Sequence, residues 1–421
     1  MMDGKVRDRL DWELQAISNN DMAFAFLQDI ELLKKMNLKS YEISGRGVWQ
    51  NSLVAYLCGI SDIDPLKYDL SPYFTFGING NKKIDININI PSDRQEESHE
   101  LSKTLEGNQT SLIAGTSGDF NRGHINFCMN SYERKNKKKF TEEERELIGE
   151  RLLHVYHRSG INPGCIISIP YGVDLPEELP IANLNGKKKY EYYDYHYGVD
   201  DVFYKQYLLG HDSPMLLNKL AALTGVSLNE ISFEDEKVMN LFRPDEKGEF
   251  GCKGLPEFRS DFGMDVLKIS KPETFEDIVK ILGMMHGTDI WLDNIEQLIK
   301  DGEINISQAI SSRDDIYSYL IEKEIDEELS YAIAEDVRRG IIKRGRKQEF
   351  WDSAKEVMSE AGVEEWFISV CEKITYLFPK VHSISYTEML WREGYFKVYY
   401  PEVYEEVMSE YWAEREKTLV D

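Results

Sequence analysis

The sequence predicts an α+β fold in which a small mixed sheet carries a large helical part, and three observations predict it. Within residues 40–210, Ile84, Ile86, Ile88 and Ile90 alternate with polar residues at the period of a strand, and Cys165 to Ile169 form a short apolar run closed by Pro170. From Asp212 to the last residue, apolar positions recur at helical spacing with only short glycine or proline breaks, at 251–256, 271–272 and 378–379. The chain has 421 residues, 42% of them hydrophobic and 30% charged, which is the balance of a folded protein with room for two or three domains.

Composition also narrows function. Asp and Glu number 75 against 50 Lys and Arg, a formal charge of -25, and such a field repels nucleic acid and anionic membranes unless the basic residues gather on one face. The five cysteines are scattered without a C-x-x-C pair, which argues against both a disulfide framework and a zinc cluster. No signal-like apolar core and no run of about 18 uncharged apolar residues is present, so the chain reads as cytoplasmic, with no membrane partner.

Taken in order, Leu10, Leu14, Ile17, Phe24, Leu27, Ile30 and Leu33 predict two helices separated at residues 18–21. The glycine-rich Ser44-Gly45-Arg46-Gly47 precedes a helix over 48–57, and residues 62–65 form a turn. Residues 73–76 and 83–90 flank Asn79-Gly80, which predicts a β-hairpin. Its second arm should turn every isoleucine inward and Asp85, Asn87 and Asn89 away from the core. Residues 91–140 show little pattern and end in a basic run, 134–139. Thr141 and Glu144 make a capping box for a helix reaching about residue 158. A packed aromatic stretch at 190–197, a strand over 200–209 and a helix opening at Asp212-Ser213-Pro214 follow.

The commonest short motifs of enzymes (P-loop, G-x-G-x-x-G, H-E-x-x-H and G-x-S-x-G) are missing. What remains is Asp85-x-Asn87 on a strand. In nucleotidyl transferases a D-x-D strand and a third acid hold two magnesium ions about 3.5 to 4 Å apart. Here the spacing survives with one charge fewer.

Several colinear blocks over residues 7–405 resemble the PolC-type alpha subunits of bacterial DNA polymerase III, within the C-family polymerases. They are Ser52-Leu53-Val54-Ala55-Tyr56 with Gly59-Ile60 and Asp64-Pro65-Leu66, and Leu209-Gly210-His211-Asp212. Further along come Gly254-Leu255-Pro256-Glu257-Phe258, His286-Gly287-Thr288-Asp289-Ile290-Trp291, Arg313-Asp314-Asp315-Ile316 with Tyr319-Leu320-Ile321, and Phe378-Pro379-Lys380-Val381-His382 with Tyr395-Phe396-Lys397-Val398. The resemblance implies a nucleotidyltransferase-like palm sheet with helical fingers. Residues 1–40 would be a thumb- or palm-like helical segment, 41–215 the palm and 216–421 the fingers. It also implies a bacterial or phage origin and a place in DNA replication.

The family's catalytic positions fall on Asp85 and Asn87, with the third acid on Tyr207, so one carboxylate is retained and two are replaced. Its triphosphate loop falls on Ser44, Gly45, Arg46 and Gly47, followed by Val48, Trp49, Gln50 and Asn51 where small residues are expected. Asp85 is then the one remaining candidate metal ligand, and magnesium is expected only if the chain is active. An amide can coordinate Mg²⁺ but supplies no charge. The zinc insertion, proofreading, clamp-binding and duplex-gripping parts of the family are not recognised in this stretch, so processive replication is not expected of it.

A bland reading stands beside each sharp one. Asp85 can be a solvated acid, Arg46 can pair with a neighbouring carboxylate, and the run 134–139 reads as a solvated loop. His286 and His382 are better explained by packing and hydrogen bonding than by metal ligation. Arg338, Arg339, Lys343, Arg344, Arg346 and Lys347 form the denser basic stretch and are the candidate DNA-phosphate contacts. Three functions follow from these readings. The first is a pseudoenzyme that binds DNA, a nucleotide or a replication partner as regulator or decoy. The second is an active DNA polymerase or nucleotidyltransferase with substitute ligands such as Asp200 or Asp201. The third is a protein-interaction relic without nucleic-acid binding.

Overall fold

The computed structural model describes residues 4–120, 122–171, 181–184, 188–191 and 204–420. Among the described residues seven strands run in chain order: β1 Ser44–Arg46, β2 Asn87–Pro91, β3 Asn108–Asp119, β4 Tyr156–Pro170, β5 Ile181–Leu184, β6 Lys188–Glu191 and β7 Tyr204–His211. The chain divides into two compact units, one made of residues 1–95 and 210–421 and the other of residues 96–209. The fold is α+β, as the patterning predicts, with helices dominating the larger unit.

In the larger unit the first two helices are Gly4–Asn19 and Ala23–Met36, and Asn37 ends the second in a left-handed turn at φ 52°. Glu13 on the first helix is fully buried and acts as a clamp. Its Oε2 accepts from the Ser52 hydroxyl at 2.7 Å and the Val54 amide at 3.1 Å, and Oε1 accepts from the Leu53 amide at 3.0 Å. An internal carboxylate thereby satisfies amides at the start of helix Leu53–Leu57. After Gly210 the helices stack around one apolar core that includes Phe74, Phe242, Phe258, Leu282, Ile316 and Leu390. Helix Lys380–Tyr399 starts directly after Pro379 and is buried along most of its length.

Two expectations for this unit fail. Tyr73–Phe76 is a helical turn, not the first arm of a hairpin. Pro72 presets helical φ, and Phe74 stacks on Tyr331 at 5.5 Å with the Arg313 guanidinium 4.2 Å from its ring, so tertiary packing overrides the strand preference of Tyr-Phe-Thr-Phe. The strand begins at Asn87, which leaves Asp85 exposed before it. Ile86, Ile88 and Ile90 are fully buried as expected, but Asn89 is also buried, donating to the Ser44 hydroxyl at 2.9 Å across the β1–β2 pair.

In the smaller unit the strand order is β7-β4-β3-β6-β5. β4 runs antiparallel to both β3 and β7, and β3 meets β6 in parallel. Leu112, Ala114, Cys165, Ile167 and Ile169 form its core. Residues 91–140, unpatterned in the sequence, hold helix Gln95–Ser102, β3 and helix Arg122–Asn136. The capping box is present, with the Glu144 amide donating to Thr141 Oγ1 at 3.2 Å and the Thr141 amide to Glu144 at 2.9 Å, and its helix ends at Leu152. Of the aromatic stretch 190–197, residues 190 and 191 close β6. The remainder, together with Asp200 and Asp201, lies outside the described residues.

Candidate nucleotide and phosphate site

The loop that joins β1 to helix Leu53–Leu57 is packed shut from within. Trp49 is 1% exposed, and its indole N–H is 3.1 Å from both the Arg46 and the Asn87 carbonyl oxygens, tying the loop to β2. Gln50 folds its side chain over Gly45, where a Cβ would come within 2.1 Å of it, and donates to the Gly47 carbonyl at 3.3 Å. The Val48 carbonyl accepts from Thr75 at 2.6 Å, the Asn51 carbonyl from Arg9 at 2.6 Å, and the Gly45 carbonyl from Ser385 at 3.1 Å. Gly47 adopts φ +98°, a conformation open to glycine, and its Cβ position faces the Asn87 amide nitrogen at 3.9 Å. The bulky residues that the sequence shows in place of small ones are therefore the loop's own filling.

β1 and β2 place Arg46 directly opposite Asn87. Arg46 is exposed and forms no ion pair with a described residue. Tyr207 lies on β7 in the smaller unit, opposite Cys165, and its ring packs on the core of that sheet. Lys205, two residues earlier and 7% exposed, holds its ammonium 5.9 Å from the ring centre. The two positions where the resemblance expects acids therefore hold an amide on β2, opposite Arg46 in register, and an aromatic ring on β7 beside an ammonium. Among the described residues no group of three or more His, Cys, Asp or Glu is placed to hold a metal ion. Of Asp85, Asn87 and Tyr207, only Asp85 carries a carboxylate, too little charge by itself for a magnesium pair.

The basic stretch is largely neutralised in place. Glu335 takes Arg338 at 3.1 Å, Arg339 at 2.9 Å and the buried Arg313. Lys343 pairs with Asp289 at 2.6 Å, Lys347 with Asp336 at 2.8 Å, and Arg344 donates to the Arg339 carbonyl. Arg346 is exposed with no ion pair to a described residue. Burial works against ionisation of Glu335, yet Arg313, then Arg338 and Arg339, hold its carboxyl down at about 2. Lys82 belongs to the same cluster, its ammonium destabilised first by partial desolvation and then by the Arg313 charge. One carboxylate shared by three guanidiniums leaves surplus positive charge here.

A second assembly surrounds the exposed Arg46. His382 stacks on Phe378 with ring centres 4.5 Å apart and meets Tyr386 edge-on at 4.5 Å. His286 packs on Phe378 at 5.0 Å and sets its Nε2 3.0 Å from Glu257. His211 lies 6.4 Å from Tyr386, and its Nδ1 accepts from the Ser213 amide at 3.2 Å, capping helix Asp212–Thr224. Asp212 anchors this corner by accepting from Ser92 at 2.7 Å and Tyr411 at 2.8 Å. Burial, and then the Arg46, His286 and His211 charges, push His382 down to about 3. Sequence reading named all three histidines within its motif blocks but not their convergence, because the segments that bring them together are far apart in the chain.

Comparison with known proteins returns the same kinship as the motif blocks. A model of the bacterial DNA polymerase III alpha subunit finger domain matches residues 214–365, and one of the bacterial DNA polymerase III alpha NTPase domain matches residues 1–126. The DNA polymerase III PolC-type of Caldanaerobacter subterraneus subsp. tengcongensis is 31% identical over 95% of this chain and 32% of its own length. Those of Thermotoga maritima and Lactococcus lactis subsp. lactis are 31% and 30% identical over 94% of this chain, and 32% and 27% of their own lengths. The chain therefore spans about a third of the curated relatives it matches.

Proposed function

Since the chain belongs to the PolC-type DNA polymerase III alpha family, we propose that it is a catalytically silent palm-and-fingers unit. It binds nucleotide or nucleic-acid phosphate without extending a primer, and acts on replication as a regulator or decoy. The observation that carries this reading is the Trp49 indole, which closes the phosphate loop onto the Asn87 carbonyl.

Charge decides against extension. A carboxylate about 4 Å from a divalent cation contributes about 8 kcal/mol of gross attraction at an effective dielectric near 20. Two such groups are replaced, by Asn87 and Tyr207. If only about a third of one term survives solvent compensation, it still corresponds to about a hundredfold in rate. No step of this proposal runs through a metal ion.

Binding needs less than catalysis. Arg46 is exposed opposite Asn87, and Lys82, Arg338 and Arg339 surround a single carboxylate, so cations remain to meet phosphate oxygens. With a net charge of -25, affinity for DNA should be modest and strongly salt-dependent. Calorimetric titration of dATP, with and without magnesium, tests the reading. Binding that is equal in EDTA and lost in Arg46→Ala is expected. Binding that requires magnesium, or none at all, would contradict it.

A further inference from the structure

In the smaller unit, helix Glu142–Leu152 gathers local costs on one face. It has 11 residues and buries none of them, and a helix of that length without a packed stripe is marginal in water. Glu142, Glu146 and Glu150 follow one another at i,i+4, where like charges oppose the helix, and none of them pairs with a described residue. Gly149, beside Glu150, is a glycine in a helix interior, where alanine would be more stable. These four residues line a groove of about 460 Å³ against helix Arg122–Asn136. Its floor includes the buried Ile125 and Met129 and the half-buried Leu153. A Cβ at Gly149 would meet no atom within 4 Å, so the groove stands open where the glycine lowers its wall. Among the described residues its lining holds two arginines. Arg145 is spent on Glu133 at 2.6 Å and Asn130 at 2.8 Å, which leaves Arg122 against three carboxylates.

We propose that this groove is a docking face for a helix of a partner protein, one whose apolar stripe is flanked by lysines or arginines. The stripe lies on Ile125, Met129 and Leu153 and approaches closest at Gly149. A basic ridge at i, i+4 and i+8 of the incoming helix meets Glu142, Glu146 and Glu150 in register, because the three acids share that spacing. The apolar floor supplies affinity, and the rim charges supply register and association rate. The formal charge of -25 steers a basic partner toward the chain and repels nucleic acid or an acidic segment from this carboxylate ridge. Docking also explains the retained costs, since a covering helix gives helix Glu142–Leu152 the packing it lacks and gives its acids their counter-charges. The groove lies wholly within residues 96–209, so the proposal does not depend on the nucleotide reading.

The full chain is titrated, by fluorescence anisotropy, with a labelled synthetic peptide of about four helical turns that carries a leucine stripe flanked by lysines. A counterpart has glutamate at every lysine. The lysine peptide should bind and the glutamate peptide should not. Changing Glu142, Glu146 and Glu150 together to Gln should weaken binding about tenfold, the worth of three exposed ion pairs, and by less as salt rises. A control that changes Glu349, Glu356 and Glu360 to Gln removes the same charge from exposed positions on helix Gln348–Glu360 and should leave binding nearly unaltered. Gly149→Leu fills the opening and should weaken binding about tenfold or more without lowering the melting temperature, because leucine favours a helix over glycine. Hydrogen exchange of the amides in helix Glu142–Leu152 should slow when the lysine peptide is bound. Equal binding of the two peptides, equal effects of the two triple variants, or unaltered binding by Gly149→Leu overturns the proposal, as does the absence of binding. Self-association in sedimentation that Gly149→Leu abolishes overturns it in favour of a second copy of this chain.

Discussion

Replacing Trp49 should expose what its indole does. The side chain is 1% exposed and its N–H reaches two carbonyls at 3.1 Å, so two contributions separate cleanly. Trp49→Phe keeps most of the buried ring and removes the donor, which should cost about 1 kcal/mol. Trp49→Ala removes the buried ring and leaves a cavity, for about 3–5 kcal/mol. Urea unfolding followed by circular dichroism measures both, and an unchanged m-value shows that the loss lies in the folded state. Freed from the indole, the Arg46 and Asn87 carbonyls become available to water, and the loop gains room at the position where phosphates would approach. The reasoning fails if Trp49→Ala costs less than about 1 kcal/mol, because a side chain that truly fills the loop cannot be removed so cheaply.

Other outcomes follow from the charged groups. Burial pushes the Glu388 carboxyl up to about 8, with Arg392 opposing, so the folded chain keeps a proton that the unfolded chain releases near the ordinary value of 4.5. Stability from this group is full below 4.5 and declines as pH rises toward 8, and Glu388→Gln should flatten that decline in urea unfolding across pH 5–8. Glu335, held down at about 2, has the opposite sign: its contribution is present above its ordinary value of 4.5 and is lost as pH falls toward 2. Glu335→Gln should cost about 3 kcal/mol at pH 7, shrinking toward zero near pH 2. Removing Arg339 and Arg346 together should lower the salt slope of primer-template binding, read by fluorescence anisotropy between 50 and 200 mM salt, by about two phosphate contacts.

Much of the fold was legible because local signals agreed with packing. Helices Gly4–Asn19 and Ala23–Met36 follow the apolar spacing, and Thr141 with Glu144 marks a helix start by chemistry alone. Residues 122–136 were not legible, since that helix buries only Ile125 and Met129 and so lacks an apolar stripe. Tyr73–Phe76 misled because long-range contacts with Tyr331 and Arg313 decide its conformation. The amide at Asn87 and the aromatic ring at Tyr207 were readable as residue types. The Glu13 clamp, the indole bridge and the histidine convergence were not, because each depends on partners remote in sequence.

The most direct measurement is incorporation of labelled dNTP into a primer-template by the purified chain, with magnesium or manganese present. If Asn87 and Tyr207 stand where the family carries two of its three acids, no metal-dependent extension above background is predicted. Brisk extension that disappears in Asp85→Ala would contradict the account.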